Sequence, residues 1–143
     1  MPWEAFQERL GYSFRNIELL QRALTHASLP NEAPDRRSNE RLEFLGDAVL
    51  ELAVRDALFR AFPERREGWM TTRKREIVRN QALAEAGRAL RVGEVLEMGK
   101  GQRKRGIYDS MRANTFEALL GAIFMDSDYE TAARVALQHV TIN

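Results

Sequence analysis

Apolar residues recur at three- and four-residue spacing along almost the whole chain, the period of helices with one buried face. Trp3, Phe6 and Leu10 predict a short first helix that stops at Gly11. Asn16 is a natural cap for a second helix carrying Ile17, Leu20, Ala23 and Leu24 on one side. Residues 29–37 hold two prolines, Asn31 and Asp35 and read as a loop. Ser38 or Asn39 then opens a long helix whose buried stripe is read as Leu42, Leu45, Val49, Leu52 and Phe59, with Pro63 ending it. A charged loop containing Glu67-Gly68 leads to a helix from about Thr71, and Asn80 is placed to cap the next one, with Leu83, Ala86 and Leu90. Gly93 marks a break, and a basic loop bracketed by Gly99 and Gly106 follows. Asp109 or Ser110 caps a helix through Phe116, Leu119, Leu120, Ile123 and Phe124, and Ser127 with Glu130 fits a capping box for the last helix. There is no repeat, linker or alternating strand pattern. The expectation is one all-α domain over residues 1–143, a helical bundle.

Composition narrows the class. Apolar residues make up 44% of the chain and charged residues 30%, as in a soluble globular protein. No apolar run approaches the roughly 20 residues that span a bilayer, and no basic start followed by an apolar stretch suggests a signal peptide. The absence of cysteine excludes disulfides and thiolate metal sites. The expected location is the cytoplasm, with no membrane partner. A net charge of +1 does not by itself argue for nucleic acid, but its distribution is uneven. Lys100, Arg103, Lys104 and Arg105 lie between Gly99 and Gly106 with no anion among them, and Arg73, Lys74, Arg75 and Arg79 form a second cluster. Charge alone favours a merely solvated surface.

The candidate chemistry is acidic. Glu43 and Asp47 are four apart on the long helix and share a face; Asn114 and Glu117 are three apart on a later helix and also share one. Four oxygen-bearing side chains from two packed helices suit a hard cation such as Mg²⁺ or Mn²⁺, which lowers the pKa of bound water and polarises a phosphoryl oxygen. Carboxylates held together repel unless a cation neutralises them. Spacing alone is a weak signal, because acidic pairs are common on exposed helix faces. Here, however, the acids sit among apolar residues. Gly46 inside the helix costs about 1 kcal/mol relative to alanine, so something comes close to its backbone, either a ligand or a packed helix.

These segments resemble the ribonuclease III family. Ala23-Leu24-Thr25-His26-Ala27-Ser28 is similar to an early family stretch, and Asn39 through Asp47 resembles the family signature without a gap. Glu67-Gly68, Leu83-Ala84, Gly99-Lys100-Gly101 and Phe116 through Ala122 follow in the family's order. The resemblance covers nearly the whole chain and implies the catalytic-domain fold, all-α and homodimeric. It implies a Mg²⁺-dependent endoribonuclease, with Mn²⁺ able to substitute, that cuts double-stranded RNA into 5′-phosphate and 3′-hydroxyl products with short 3′ overhangs. The expected role is processing of ribosomal-RNA precursors or structured transcripts. Carried over by position, Asp47 and Glu117 are catalytic, and Glu43, Asp47, Asn114 and Glu117 hold the metal. Glu40 and Glu67 support the acidic site from its border. Phe44 matches the aromatic that enters the partner subunit; without the resemblance it reads as core. His26 is implied to be structural, and His139 has no motif around it. Trp69 lies near Glu67, at the dimer edge or over the core.

The chain departs from the family pattern twice. Most bacterial members have aspartate where Asn114 stands; an amide oxygen still ligates but brings no charge. Three readings stay open: a natural variant, a substitution that traps an inactive complex, and a decayed enzyme that only binds RNA. Retained Glu43, Asp47 and Glu117 disfavour general decay. There is also no double-stranded-RNA-binding domain, so the sequence reads as either a truncated piece or a minimal enzyme. Lys100, Arg103, Lys104 and Arg105 are then the first candidates for phosphate contact, followed by Arg73, Lys74 and Arg79, reading backbone and A-form shape rather than sequence. The alternative function is a catalytically impaired double-stranded-RNA-binding or ribosome-associated protein on the same fold. An all-α dimer with no RNA role is the third and weakest reading.

Overall fold

The computed structural model describes residues 3–143. Helices α1 (Glu4–Leu10), α2 (Ile17–Ala23), α3 (Glu40–Ala61), α4 (Glu67–Val78), α5 (Asn80–Ala89), α6 (Lys100–Arg105), α7 (Asp109–Asp126) and α8 (Tyr129–His139) follow in order, with a short 3₁₀ turn at Val92–Glu94. The fold is all-α, as the periodicity predicts. Among the described residues the β pairing is one isolated parallel bridge between Thr25 and Glu97. No helix there is long and apolar enough to cross a membrane.

Helix α7 is the axle. Met111, Ala113 and every residue from Thr115 to Ile123 are buried, so the helix is enclosed on all sides rather than amphipathic. Its longest crossing is with α3, and it also packs on α5, α2 and α8. Two glycines set the depth of the α3–α7 crossing. A methyl group added at Gly46 would overlap the carbonyl oxygen of Glu117, and one added at Gly121 would overlap the carbonyl oxygen of Leu42. The two backbones therefore touch, which resolves the expectation at Gly46 in favour of a packed helix. Phe6, Leu20, Leu50, Leu58, Phe116 and Leu119 are fully buried around this crossing, each side chain worth about 1.5–3 kcal/mol of transfer free energy.

The predicted stripe of α3 needs correction. Leu42 and Val49 are buried and Leu45 is half-buried, but Leu52 is 54% exposed and Phe59 71% exposed. The face that packs inward carries Leu42, Gly46, Val49, Leu50, Ala53, Val54 and Leu58. The helix thus has two apolar faces, one covered by α7 and one facing out, and helical period alone does not say which of two stripes the chain covers. Phe44 belongs to the outer face at 85% exposure, which rules out the core reading within this chain.

Several ends also differ from expectation. Helix α4 begins at Glu67 rather than near Thr71. Its first-turn carboxylate complements the helix dipole, and Trp69 packs its ring 4.8 Å from that of Phe62. The glycine-bracketed basic segment is a short helix, α6, rather than a loop. Its start is tied down because Gly99 N–H donates to Ser28 Oγ (2.9 Å) and Lys100 N–H to Glu32 Oε2 (2.7 Å). At α3, Ser38 Oγ accepts from Glu40 N–H (3.3 Å) while Asn39 turns inward and donates to the carbonyl of Ala23 (3.0 Å). At α8 the cap is Asp128, which accepts from Thr131 N–H at 2.8 Å, instead of Ser127; aspartate caps as well as serine and adds a charge the dipole favours.

Candidate active site

The α3–α7 crossing that the glycines bring together is also where the acids meet. Asp47 lies one residue past Gly46, and Glu117 contributes the carbonyl that Gly46 accommodates. Glu117 is 8% exposed, a carboxyl inside the bundle. Its pKa is pushed up to about 8, first by burial, then by a side-chain hydrogen bond to Asp47 and by the charges of Asp47, Glu43 and Glu51. Near neutral pH it is therefore the protonated partner, donating its O–H to the Asp47 carboxylate. Glu43 is raised as well, by burial and then by Glu40 and Asp47. These shifts place Glu40, Glu43, Asp47 and Glu51 along one stripe of α3, with Glu117 set against it from α7.

Glu51 is the member that sequence reasoning missed. The signal was present, since Glu51 extends the four-residue spacing of Glu43 and Asp47 by one more turn. Its Oε1 accepts from Lys74 Nζ at 3.3 Å. Its Oε2 is buried without a hydrogen-bond partner; Arg55 Nε stands 3.5 Å away as a looser ion-pair partner. Lys74, read from sequence as an RNA contact, has a side chain only 13% exposed and is committed to this pair.

The other candidates are distributed unevenly. Asn114 is half-buried one turn before Glu117, and its side chain makes no hydrogen bond with a described residue. Glu40 is exposed, bonded to Ser38 Oγ (3.0 Å), and borders the acidic stripe. Glu67 stands exposed at the start of α4, beside a cleft lined by Leu52, Phe59 and Met70, and is not among the charges that act on Glu117. Of the basic candidates, Arg73 donates to the Ile142 and Thr141 carbonyls, Arg103 to the Leu96 carbonyl and Arg105 to Gln102 Oε1. Lys100 and Lys104 are exposed on α6.

His26 is structural. Its Nδ1 accepts from Ser28 N–H (3.1 Å) and faces Ser28 Oγ at 2.8 Å, and burial holds its pKa below the usual histidine value. Together with the bonds from His26 N–H to the Glu97 carbonyl (2.8 Å) and from Glu97 N–H to the Leu24 carbonyl (2.7 Å), it ties residues 24–28 to the segment before α6. His139 Nε2 lies 2.9 Å from the Leu10 carbonyl and joins α8 to α1.

Whether these acids suit a divalent cation is a matter of donor chemistry. Among the described residues, no three acidic or histidine side chains form a ready-made metal cage. They set the buried Glu117 carboxyl against Asp47, with Glu43 and Glu51 close by and one buried oxygen of Glu51 without a hydrogen-bond partner. All are hard oxygen donors, crowded to the point that one must stay protonated. A small divalent cation relieves that crowding, and the residues present fit one.

Comparisons with known proteins identify the family. The model of the family described as ribonuclease-III-like matches residues 16–142. Ribonuclease 3 of Vibrio cholerae is 42% identical over 139 residues, covering 96% of this chain and 60% of that protein. Ribonuclease 3 of Pelotomaculum thermopropionicum is 46% identical over 138 residues, covering 94% of this chain and 57% of that protein. The chain thus spans about three fifths of the length of the curated relatives it matches. The nuclease domain of ribonuclease III from Campylobacter jejuni superposes with a TM-score of 0.89 at 33% identity, covering 95% of this chain and 94% of that one. With a signature-bearing helix crossed at two glycines by a helix carrying a buried acid, and with matches of this extent, the chain belongs to the ribonuclease-III-like family.

Proposed function

We propose that this chain is the catalytic unit of a divalent-metal-dependent endoribonuclease that cuts double-stranded RNA and works as a homodimer. The observation that carries the reading is the buried Glu117 carboxyl set against Asp47, with Glu43 close by. Crowding carboxylates inside a bundle costs stability and has no structural purpose that apolar packing would not serve better. Perturbed acids of this kind cluster at functional sites.

In this reading Glu43, Asp47, Asn114 and Glu117 hold Mg²⁺ or Mn²⁺, and Asp47 and Glu117 are the catalytic pair. When bound, the cation supplies Lewis-acid polarisation of the scissile phosphate and lowers the pKa of the attacking water. Glu117, once deprotonated, would be one of the residues holding the cation. Water adds to phosphorus, the bond to the 3′ oxygen breaks, and that oxygen leaves with a proton, giving 5′-phosphate and 3′-hydroxyl ends with a short 3′ overhang. Glu40 supports the site from its border, and Lys100 and Lys104 meet the RNA backbone, while Glu67 stands apart from the acids of its own subunit beside the Leu52 and Phe59 cleft. Ribosomal-RNA precursors and structured transcripts are the substrates in view.

The dimer assignment rests on the outer apolar face of α3, where Phe44 and Leu52 are exposed. Aromatic and aliphatic side chains in such a row favour a partner of the same kind. The similar Campylobacter jejuni nuclease domain is described as having a region involved in dimer formation.

Asn114 supports a second reading, an RNA-binding protein with an impaired site, because the amide brings one charge fewer than aspartate. One experiment separates the two: cleavage of a perfectly paired RNA duplex with Mg²⁺ and with Mn²⁺ by this chain, Asn114→Asp and Glu117→Ala. Cleavage that disappears in Glu117→Ala supports the enzyme. Cleavage only in Asn114→Asp assigns the impairment to the asparagine. Duplex binding without cleavage in all three supports the binding protein and overturns the enzyme.

A further inference from the structure

A second polar site lies just before the acidic stripe. The end of α2, the following loop and the start of α3 enclose an open cleft of about 500 Å³, lined by Arg22, Arg36, Arg37 and Arg41 together with Ser38 and Glu40. Arg22, Arg36 and Arg37 also line an adjoining cleft of about 470 Å³ on the α2 side, where Glu18 and Asp35 stand. Among the described residues, only one of the four guanidiniums is neutralised. Arg36 forms a two-pronged pair with Glu97 (3.0 and 3.3 Å) and donates to Thr25 Oγ1 at 3.0 Å. Arg22 has only a long bond from Nε to the Ser38 carbonyl, 3.5 Å. The side chains of Arg37 and Arg41 make no hydrogen bond or ion pair with a described residue. Burial holds the Arg22 guanidinium below its usual range, and Arg37 and Arg41 push it lower still, so the three arginines repel one another.

Guanidinium groups gathered on one cleft match the multi-oxygen surface of a phosphate, which they grip through paired hydrogen bonds. The cleft is also well placed. Glu40 lines it and at the same time raises Glu43 within the acidic stripe. Arg41 precedes Asp47 by six residues, about 9 Å of helix axis. On the other side the start of α6 is bonded to Ser28 and Glu32 of the loop whose Ala27 and Pro30 line the cleft, so the basic helix α6 is tied down beside it.

We propose that this arginine cleft is a phosphate-binding site that takes a backbone phosphate of duplex RNA next to the one being cut. The inference rests on the reading of the chain as a double-stranded-RNA nuclease. It adds to Lys100 and Lys104 a phosphate contact outside the basic segments visible in the sequence, in place of the α4 cations Arg73 and Lys74, which already have partners within the fold.

The test is binding of a labelled, perfectly paired RNA duplex in EDTA across a salt series, so that no cleavage intervenes. It compares this chain, the double variant Arg37→Ala/Arg41→Ala, the double variant Arg37→Lys/Arg41→Lys and, as a control on α8, Arg134→Ala. The alanine pair is expected to weaken binding about 10-fold at low salt and to lower the salt slope by about 1, for the one phosphate no longer neutralised. The lysine pair keeps the charge and restores the slope without restoring full affinity. Duplex affinity and slope that are unchanged in the alanine pair overturn the proposal while leaving the nuclease reading intact. Absence of duplex binding in every form overturns both. Thermal unfolding with inorganic phosphate against chloride at matched ionic strength distinguishes the source. Stabilisation by phosphate that the alanine pair abolishes, with duplex affinity unaffected, identifies a free-phosphate site and also overturns the proposal.

Discussion

Glu117 offers the sharpest quantitative test, because the fold holds its carboxyl far from the conditions it meets in water. In the unfolded chain it ionises near its ordinary 4.5; in the folded chain that value is about 8. Between these limits the native state binds a proton that the unfolded state has released, so stability falls as pH rises. The contribution is fully present below about pH 4.5, declines through neutrality, and is gone above about pH 8. A displacement of about 3.5 pH units at about 1.4 kcal/mol each gives a ceiling near 5 kcal/mol. Glu117→Gln keeps the shape and removes the ionisation. Its own amide must find partners, at a cost of about 1–3 kcal/mol, so a net gain of about 2–4 kcal/mol over wild type at pH 8.5 remains. At about 3 °C per kcal/mol for a chain of this size, the melting temperature rises by about 6–12 °C relative to wild type. The assay is thermal unfolding of both proteins in EDTA from pH 4.5 to 9. The Glu117→Gln advantage must grow with pH, by at most about 1.4 kcal/mol per unit, relative to its value at pH 4.5. Mg²⁺ or Mn²⁺ should then stabilise wild type more than the variant, with release of about one proton per site on binding. A difference that is flat across the series, or that shrinks as pH rises, would refute the picture of a strained carboxyl.

Two further outcomes follow from the same crossing and from the opposite face of α3. Gly46→Ala would ordinarily stabilise a helix by about 1 kcal/mol; here its methyl meets the Glu117 carbonyl, so urea unfolding should show a net loss of about 2 kcal/mol or more, and a variant as stable as wild type would mean that the backbones do not touch. Phe44→Ala removes an 85% exposed ring that the dimer reading places between subunits, so light scattering should show mostly monomer at micromolar concentration, whereas an undisturbed dimer removes Phe44 from the interface.

Particular residues show where sequence reasoning reaches and where it stops. The termini of α1 and α2 are legible because a glycine and an asparagine act locally: Gly11 takes a left-handed φ of 89° after the first helix, and the Asn16 side chain accepts from Glu18 N–H at the start of the second. The acids at Glu43, Asp47 and Glu117 are legible through a signature and a spacing. Glu51 continues the same spacing, but a further carboxylate on a helix looks like any solvated charge until Lys74 and Glu117 are seen beside it. Arg73 and Lys74 mislead for the converse reason: a run of cations does not disclose that one bonds to the carbonyls of Thr141 and Ile142 and the other to Glu51. The basic segment after Gly99 reads as a loop from sequence, since so short a stretch carries too little period to announce a helix whose start is tied by Ser28 and Glu32.

Period, caps and residue identity are local along the chain, and they suffice for the helical class, the punctuation around the first two helices, three acids of the candidate site and the family, while the caps read at Asn80 and at Asp109 or Ser110 fall instead on Arg79 and Tyr108. Three things lie beyond them: which of the two apolar faces of α3 turns inward, which acid is buried enough to hold its proton, and which cations stay unpaired around the cleft at Arg37 and Arg41. Those outcomes depend on what each side chain meets across the bundle. That meeting is set by Gly46 and Gly121, far apart in sequence, whose missing side chains let α3 and α7 touch.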